Sequence, residues 1–148
     1  MYPILNDGET ETNQQALDAF EDAVGLKLPR AYREFLLHNN GGRPQTPQFP
    51  IHGMAKNPNG TIQYFFGLSE KSKNYGLEQN YRWYAAVPRK ILLIACTGQS
   101  DFVGLDLRAG GTAIKFWDQR GFWGNGIWSE DDLYDVAPDF SSFLTMLR

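Results

Sequence analysis

Two histidines and one cysteine, His38, His52 and Cys96, are the imidazole and thiol groups that the 148 residues offer for zinc ligation or nucleophilic attack. A zinc site needs four close ligands, and this set is too small without help from carboxylates. His38 follows Glu34 by four residues in a helical stretch, where a surface charge pair is the simple expectation. His52 falls in an expected strand, on the side opposite Ile51. Cys96 ends the apolar run ILLIAC, and the CTGQS segment from position 96 fits no nucleophile motif. A buried, inert thiol is therefore expected, with a Cys96–His dyad as the alternative.

Carboxylates are the other chemically capable groups. Asp101 and Asp118 come opposite each other if RAGG (108–111) closes a hairpin. Paired carboxylates serve acid–base chemistry or bind a cation, and two charges splayed in water where the strands part is the plainer expectation. The GNG and GG segments lack the lysine and the strand-to-helix setting of a phosphate loop. No catalytic, metal-binding or cofactor-binding set emerges from these residues.

Binding is better supported. EKSKNYGLEQNYRWY (70–84) interleaves Lys71, Lys73 and Arg82 with Tyr75, Tyr81, Trp83 and Tyr84, a composition that stacks bases beside phosphates in single-strand binders. A sequence pI near 5.3 opposes that use, because nucleic-acid modules carry a basic footprint. These rings are expected to finish the core or meet a protein. DQRGFWGNGIWSEDDLYD (118–135) is the more suggestive surface. Asn125-Gly126 favours a tight turn, giving an expected small aromatic hairpin or loop tip that carries Trp123 and Trp128, with Glu130, Asp131, Asp132 and Asp135 following at once. Aromatic anchors beside an acidic rim suit a basic protein partner; the competing expectation is that one or both tryptophans fold back on the sheet edge.

The charge distribution agrees. Residues 1–26 hold six acids (Asp7, Glu9, Glu11, Asp18, Glu21, Asp22) and no Lys or Arg, 121–148 hold five acids against Arg148 alone, and 27–120 hold thirteen bases against six acids. Such ends either keep a domain soluble or form an acidic docking surface. The length suits one core, so a single domain over 1–148 is expected. The opening MYPILNDGETET lacks a basic segment followed by an apolar core, and no apolar run reaches about 18 residues, so neither a secretory signal nor a membrane span is expected. A lone cysteine fits a reducing, cytoplasmic setting.

The elements that must position these residues are legible in outline. Thr12 and Gln15 have capping-box spacing, and Ala16, Leu17, Phe20, Ala23 and Val24 recur at helical intervals before Gly25. Pro29 fits a first helical turn, Tyr32, Phe35 and Leu36 form a stripe, and NNGG (39–42) tolerates a left-handed cap. FPIHGM, TIQYFFGL, ILLIAC, FVGLDL and TAIKFW are expected strands. Residues 69–88 suit either an irregular loop or a short helix around LEQNYRWYAA. After Pro138, Phe140, Phe143, Leu144 and Leu147 share one helical face. The RAGG hairpin sets Phe102 across from Trp117, puts Asp106 diagonal to Lys115 and turns Val103, Leu105, Ile114 and Phe116 toward the core. An antiparallel sheet follows, and a parallel doubly wound fold does not.

The run from Val24-Gly25-Leu26-Lys27-Leu28-Pro29 through Tyr32, Phe35, Leu36, Asn40, Gly41 and Gly42 resembles the signature of the SMI1/KNR4 family, also called the SUKH superfamily. YFFGL (64–68), residues 87–107, IKFWD (114–118) and the AxxFxxFLxxL pattern within 136–147 extend the resemblance over nearly the whole chain. It implies an α+β fold with a mostly antiparallel sheet, two N-terminal helices and a C-terminal helix packed beside it. It also implies an intracellular immunity protein that occludes a cognate bacterial toxin domain, often a nuclease, without cofactor, nucleic acid or membrane. The alternative within the family is a regulatory protein-binding module with no toxin. A monomer or weak dimer is expected. The signature itself packs rather than binds, so function is expected on the variable surface it supports.

Overall fold

Each run of β-branched and aromatic residues in the middle of the chain pairs with the next one along. In the computed structural model, which describes residues 4–6, 8–55, 58–72 and 74–148, the first elements are β1 (Ile4–Asn6), α1 (Gln14–Val24), α2 (Arg30–His38) and β2 (Arg43–Pro44). Then come β3 (Gln48–Pro50), β4 (Asn59–Phe65), α3 (Leu77–Trp83), β5 (Ile91–Thr97), β6 (Phe102–Asp106) and β7 (Ala113–Trp117). The chain finishes with α4 (Arg120–Asn125), β8 (Leu133–Ala137) and α5 (Phe140–Met146). Strands β3 to β8 form one antiparallel sheet in chain order, and β1 pairs with β2 apart from it. The fold is α+β.

The helix boundaries show how local chemistry decides a start or stop. Asn13 rather than Thr12 caps α1: its Oδ1 accepts the Ala16 N–H at 2.8 Å. Its extended backbone and short carboxamide make it an effective cap one residue later than the capping-box spacing suggests. Pro29 stands just before α2, its carbonyl accepting from Arg33 at 3.0 Å. Glu21, counted among the N-terminal acids, is buried near the end of α1, where it takes the Leu28 N–H at 2.7 Å and the Arg33 guanidinium at 2.8 Å. Asp18 shares the same arginine at 3.1 Å, so these two acids serve the scaffold. Asp7 lies outside the described residues.

The expected left-handed cap of α2 is absent at its end, where Asn39 is extended; positive φ comes later, at Gly41 (81°) and Gly42 (117°). A side chain on Gly41 would come within 2.6 Å of the Phe65 carbonyl oxygen, so glycine is needed for close approach as well as for φ. The intervening Asn40 is buried, donating to the carbonyls of Thr10 and Leu68 and accepting the Leu68 N–H, all at 2.8 Å. The segment thus sews α2 to the end of β4.

Both faces of the sheet are covered. On one, Phe35 of α2 and Phe140 and Phe143 of α5 pack with Phe65, while Phe49 bridges Phe116 and Phe143. The RAGG register holds, with Phe102 opposite Trp117, Leu105 opposite Ile114 and Asp106 opposite Ala113. The second face carries its own aromatic cluster: Phe102 stacks on Trp117 at 5.7 Å, and Phe66, Tyr84, Phe122 and Trp128 surround the pair. That is why β5 and β6 are buried along their whole lengths. The ambiguous 69–88 segment supplies α3 to this second face, packed on β5.

Three local expectations give way. Residues 51–54 of FPIHGM leave the sheet after Pro50; His52 is exposed in a turn, its N–H donating to the Asp135 carbonyl at 2.9 Å. His38 Nδ1 lies 3.0 Å from the Glu34 carbonyl oxygen, while the Glu34 carboxylate pairs with Arg30. Around Asn125-Gly126 there is a short helix rather than a hairpin, because Gly126, at φ 71°, serves as the left-handed C-cap of α4 and returns its N–H to Phe122. Asn-Gly suits both geometries, and the helix wins where Phe122 can fold back on Trp117.

Candidate functional site

Trp117, the last residue of β7, organises the second face. Trp128 folds back against it at 5.5 Å, as does Phe122 at 5.6 Å, whereas Trp123, between them in sequence, stands 69% exposed. The two tryptophans of the 118–135 segment therefore divide: one is packing and the other is surface. Ile127, 67% exposed, extends that surface.

Asp118 is buried at the root of α4, gripped by Arg120, whose Nη2 lies 2.6 Å from Oδ2 and whose Nε lies 2.9 Å from Oδ1. That hydrogen-bonded guanidinium holds the Asp118 carboxyl below the usual carboxylate range. Asp101 accepts the Gln119 N–H at 3.2 Å, and burial, reinforced by the Asp118 charge, pushes its carboxyl up. The pair is therefore partly buried and unequal, not two charges splayed in water.

The acids after α4 also fall into two groups. Glu130 is held by Arg108 through contacts of 2.7 and 2.9 Å, and Arg108 in turn grips Asp106 at 2.8 Å. Asp135 pairs with Lys115 across β7 and β8. Asp106 and Lys115, diagonal in the hairpin, thus take other partners. Asp131 and Asp132 have no ion pair among the described residues, and burial with the Asp118 and Asp131 charges pushes the Asp132 carboxyl up. Around α4 the residues with unspent interaction capacity are Trp123, Ile127, Asp101, Asp131 and Asp132.

Most rings of the 70–84 segment are used internally. Tyr75 stacks on Tyr64 at 4.2 Å, Tyr81 lies under the Arg89 guanidinium at 4.0 Å, and Tyr84 packs edgewise on Phe102. Arg82 pairs with Glu78, and Arg89 donates to the carbonyls of Tyr81 and Tyr84 at the end of α3. Lys73 lies outside the described residues. Trp83 is the exception, 63% exposed. The sequence held a signal for it: Leu77, Asn80 and Tyr84 follow the inward helical spacing, and position 83 falls outside that stripe.

Trp83 and Trp123 line one cavity of about 250 Å³ between α3 and α4, over Phe66, Phe102 and Cys96. Burial pushes the Cys96 thiol up to about 11, and its Sγ points to Gln63 and the Tyr64 carbonyl. A protonated, packed thiol is a floor, not a nucleophile. No cluster of three or more His, Cys, Asp or Glu able to hold a metal occurs among the described residues, and no helix there is long and apolar enough to cross a membrane.

A protein-family model described as the SMI1 / KNR4 family (SUKH-1) matches residues 11–146 of the chain. No curated protein matches it.

Proposed function

Because the chain belongs to the SMI1/KNR4 family (SUKH-1), we propose that it is an immunity protein that binds a cognate bacterial toxin domain and neutralises it by occlusion, with no chemistry of its own. The observation that carries the reading is the exposed Trp123 indole on α4, whose first turn Asp132 lies against at Gly121, with Asp131 and Asp132 both lacking an ion pair among the described residues. An indole is the side chain that most often anchors a protein interface, and free carboxylates steer a basic partner toward it. Trp128 packs on Trp117, Trp117 on Phe122 and Phe122 on Trp123, and Glu130 and Asp135 complete the acidic rim while bound to Arg108 and Lys115. A nuclease is the toxin chemistry that fits best, since a surface built to hold a polyanion is basic.

The test is co-expression with the variable C-terminal domain of a large secreted protein encoded beside this gene. Growth restored by the chain, together with a stable complex of the two, is the expected result. A complex that leaves toxicity unchanged would assign the chain to the family's regulatory binding modules, and absence of a complex would refute the pairing.

A further inference from the structure

The cavity between α3 and α4 joins two segments that the sequence keeps far apart. Trp83 and Trp123, two of the large apolar side chains left exposed on the protein, both line it. Its remaining lining is aromatic, amide and hydroxyl, with the Cys96 thiol and no charged side chain. Gln119 is 3% exposed there; its amide nitrogen donates to the Ser100 carbonyl and its Oε1 has no hydrogen-bond partner among the described residues. A buried acceptor without a donor is costly unless a partner or a shift of its loop completes it.

Described carboxylates gather on the α4 side of this groove. Ser100 and Gln119 line it, and Asp101 follows the first and accepts the N–H of the second. Asp132 sits against Gly121 in the first turn of α4, its Oδ2 3.0 Å from where a Cβ would stand, and Asp131 adjoins it. Arg120 is the nearby cation, and Asp118 already occupies it. That side of the rim is thus acidic, while the Arg43 charge reaches the floor at Cys96.

We infer that this groove is the docking site for a loop of the protein partner, which seats an apolar side chain between Trp83 and Trp123 and sets Lys or Arg against Asp101, Asp131 and Asp132. The inference rests on the protein-binding reading above and adds its surface and its recognition chemistry. Two indoles bury a large apolar area at little entropic cost and attract an adjacent cation, so an apolar residue with basic neighbours is the matching ligand.

A displayed library of short random peptides, panned on the intact chain, tests this directly. Enriched peptides are expected to carry an apolar residue with Lys or Arg beside it, and to bind Trp83→Ala and Trp123→Ala about thirtyfold more weakly than the parent. Both indoles are exposed, so each variant keeps the parent's melting temperature. In spectra of the nitrogen-labelled chain, the indole N–H signals of Trp83 and Trp123 move on peptide addition. No enrichment, enrichment of acidic peptides, or equal binding to the Trp83→Ala/Trp123→Ala double variant overturns the inference. Its failure is separable from that of the immunity reading: a double variant that still protects against the toxin removes the groove alone, whereas a wild type that forms no complex with the toxin removes the pairing whatever the peptides do.

Discussion

Asp101 keeps a charge in a place that disfavours it. Burial raises its carboxyl pKa, and Asp118 adds repulsion. A carboxyl whose folded pKa lies above its unfolded one costs stability when both states are ionised, and the cost vanishes once both are protonated. Asp101→Asn keeps an Oδ1 to accept the Gln119 N–H, so the variant is expected to melt higher than the parent at about pH 7 and equally with it below about pH 3. Thermal melts across that range check the sign; a variant less stable at neutral pH would show that Asp101 is stabilised by its surroundings. Asp118 behaves in the opposite sense, because Arg120 lowers its pKa: its contribution is present above about pH 4 and is lost as pH falls through its folded value. Residue types alone raised the Asp101–Asp118 pair as a question. Only the fold shows that Arg120 answers one carboxylate and leaves the other, because nothing local in DQR says which way that guanidinium turns.

At the scale of elements, periodicity was informative wherever one face of an element is buried. Tyr32, Phe35 and Leu36 are all fully buried, and Phe35 meets Tyr32, Phe65 and Phe140. Phe35→Ala is expected to cost roughly 3–5 kcal/mol, a large share of an ordinary domain's stability. Chemical denaturation measures it, and a wild-type midpoint would mean the stripe does not face the core. The β6–β7 register was legible for the same reason, since a one-residue slip would exchange its faces. Two kinds of feature were not legible. Residues 120–126 form a helix because Phe122 and Trp128 close over Trp117, a tertiary contact that outweighs the hairpin preference of Asn-Gly. Asn40 resembles a helix stop in sequence, yet its hydrogen bonds reach Thr10 and Leu68, far along the chain.

Across the whole molecule, the sheet divides labour between its faces. The α2–α5 side carries the family signature and a continuous aromatic core, while the α3–α4 side carries a second cluster with exposed tryptophans at its margin. The sequence marked 70–84 and 118–135 as separate candidates; the fold sets Trp83 of one and Trp123 of the other around a single groove. It also narrows the acidic surface. Of the acids from 130 to 135, Asp131 and Asp132 alone lack an ion pair among the described residues, so the proposed steering of a basic partner falls on this pair. Long-range attraction accelerates encounter and fades with salt, whereas a buried indole governs departure. The decisive measurement is therefore the association and dissociation rates of the chain with the proposed toxin domain at low and high salt, for the parent, for Asp131→Asn/Asp132→Asn and for Trp123→Ala. The expected result is slower association for the acid variant, most marked at low salt, and faster dissociation for Trp123→Ala at a cost of about 2 kcal/mol or more, with neither variant melting below the parent. Unchanged rates in both folded variants would contradict docking through this face.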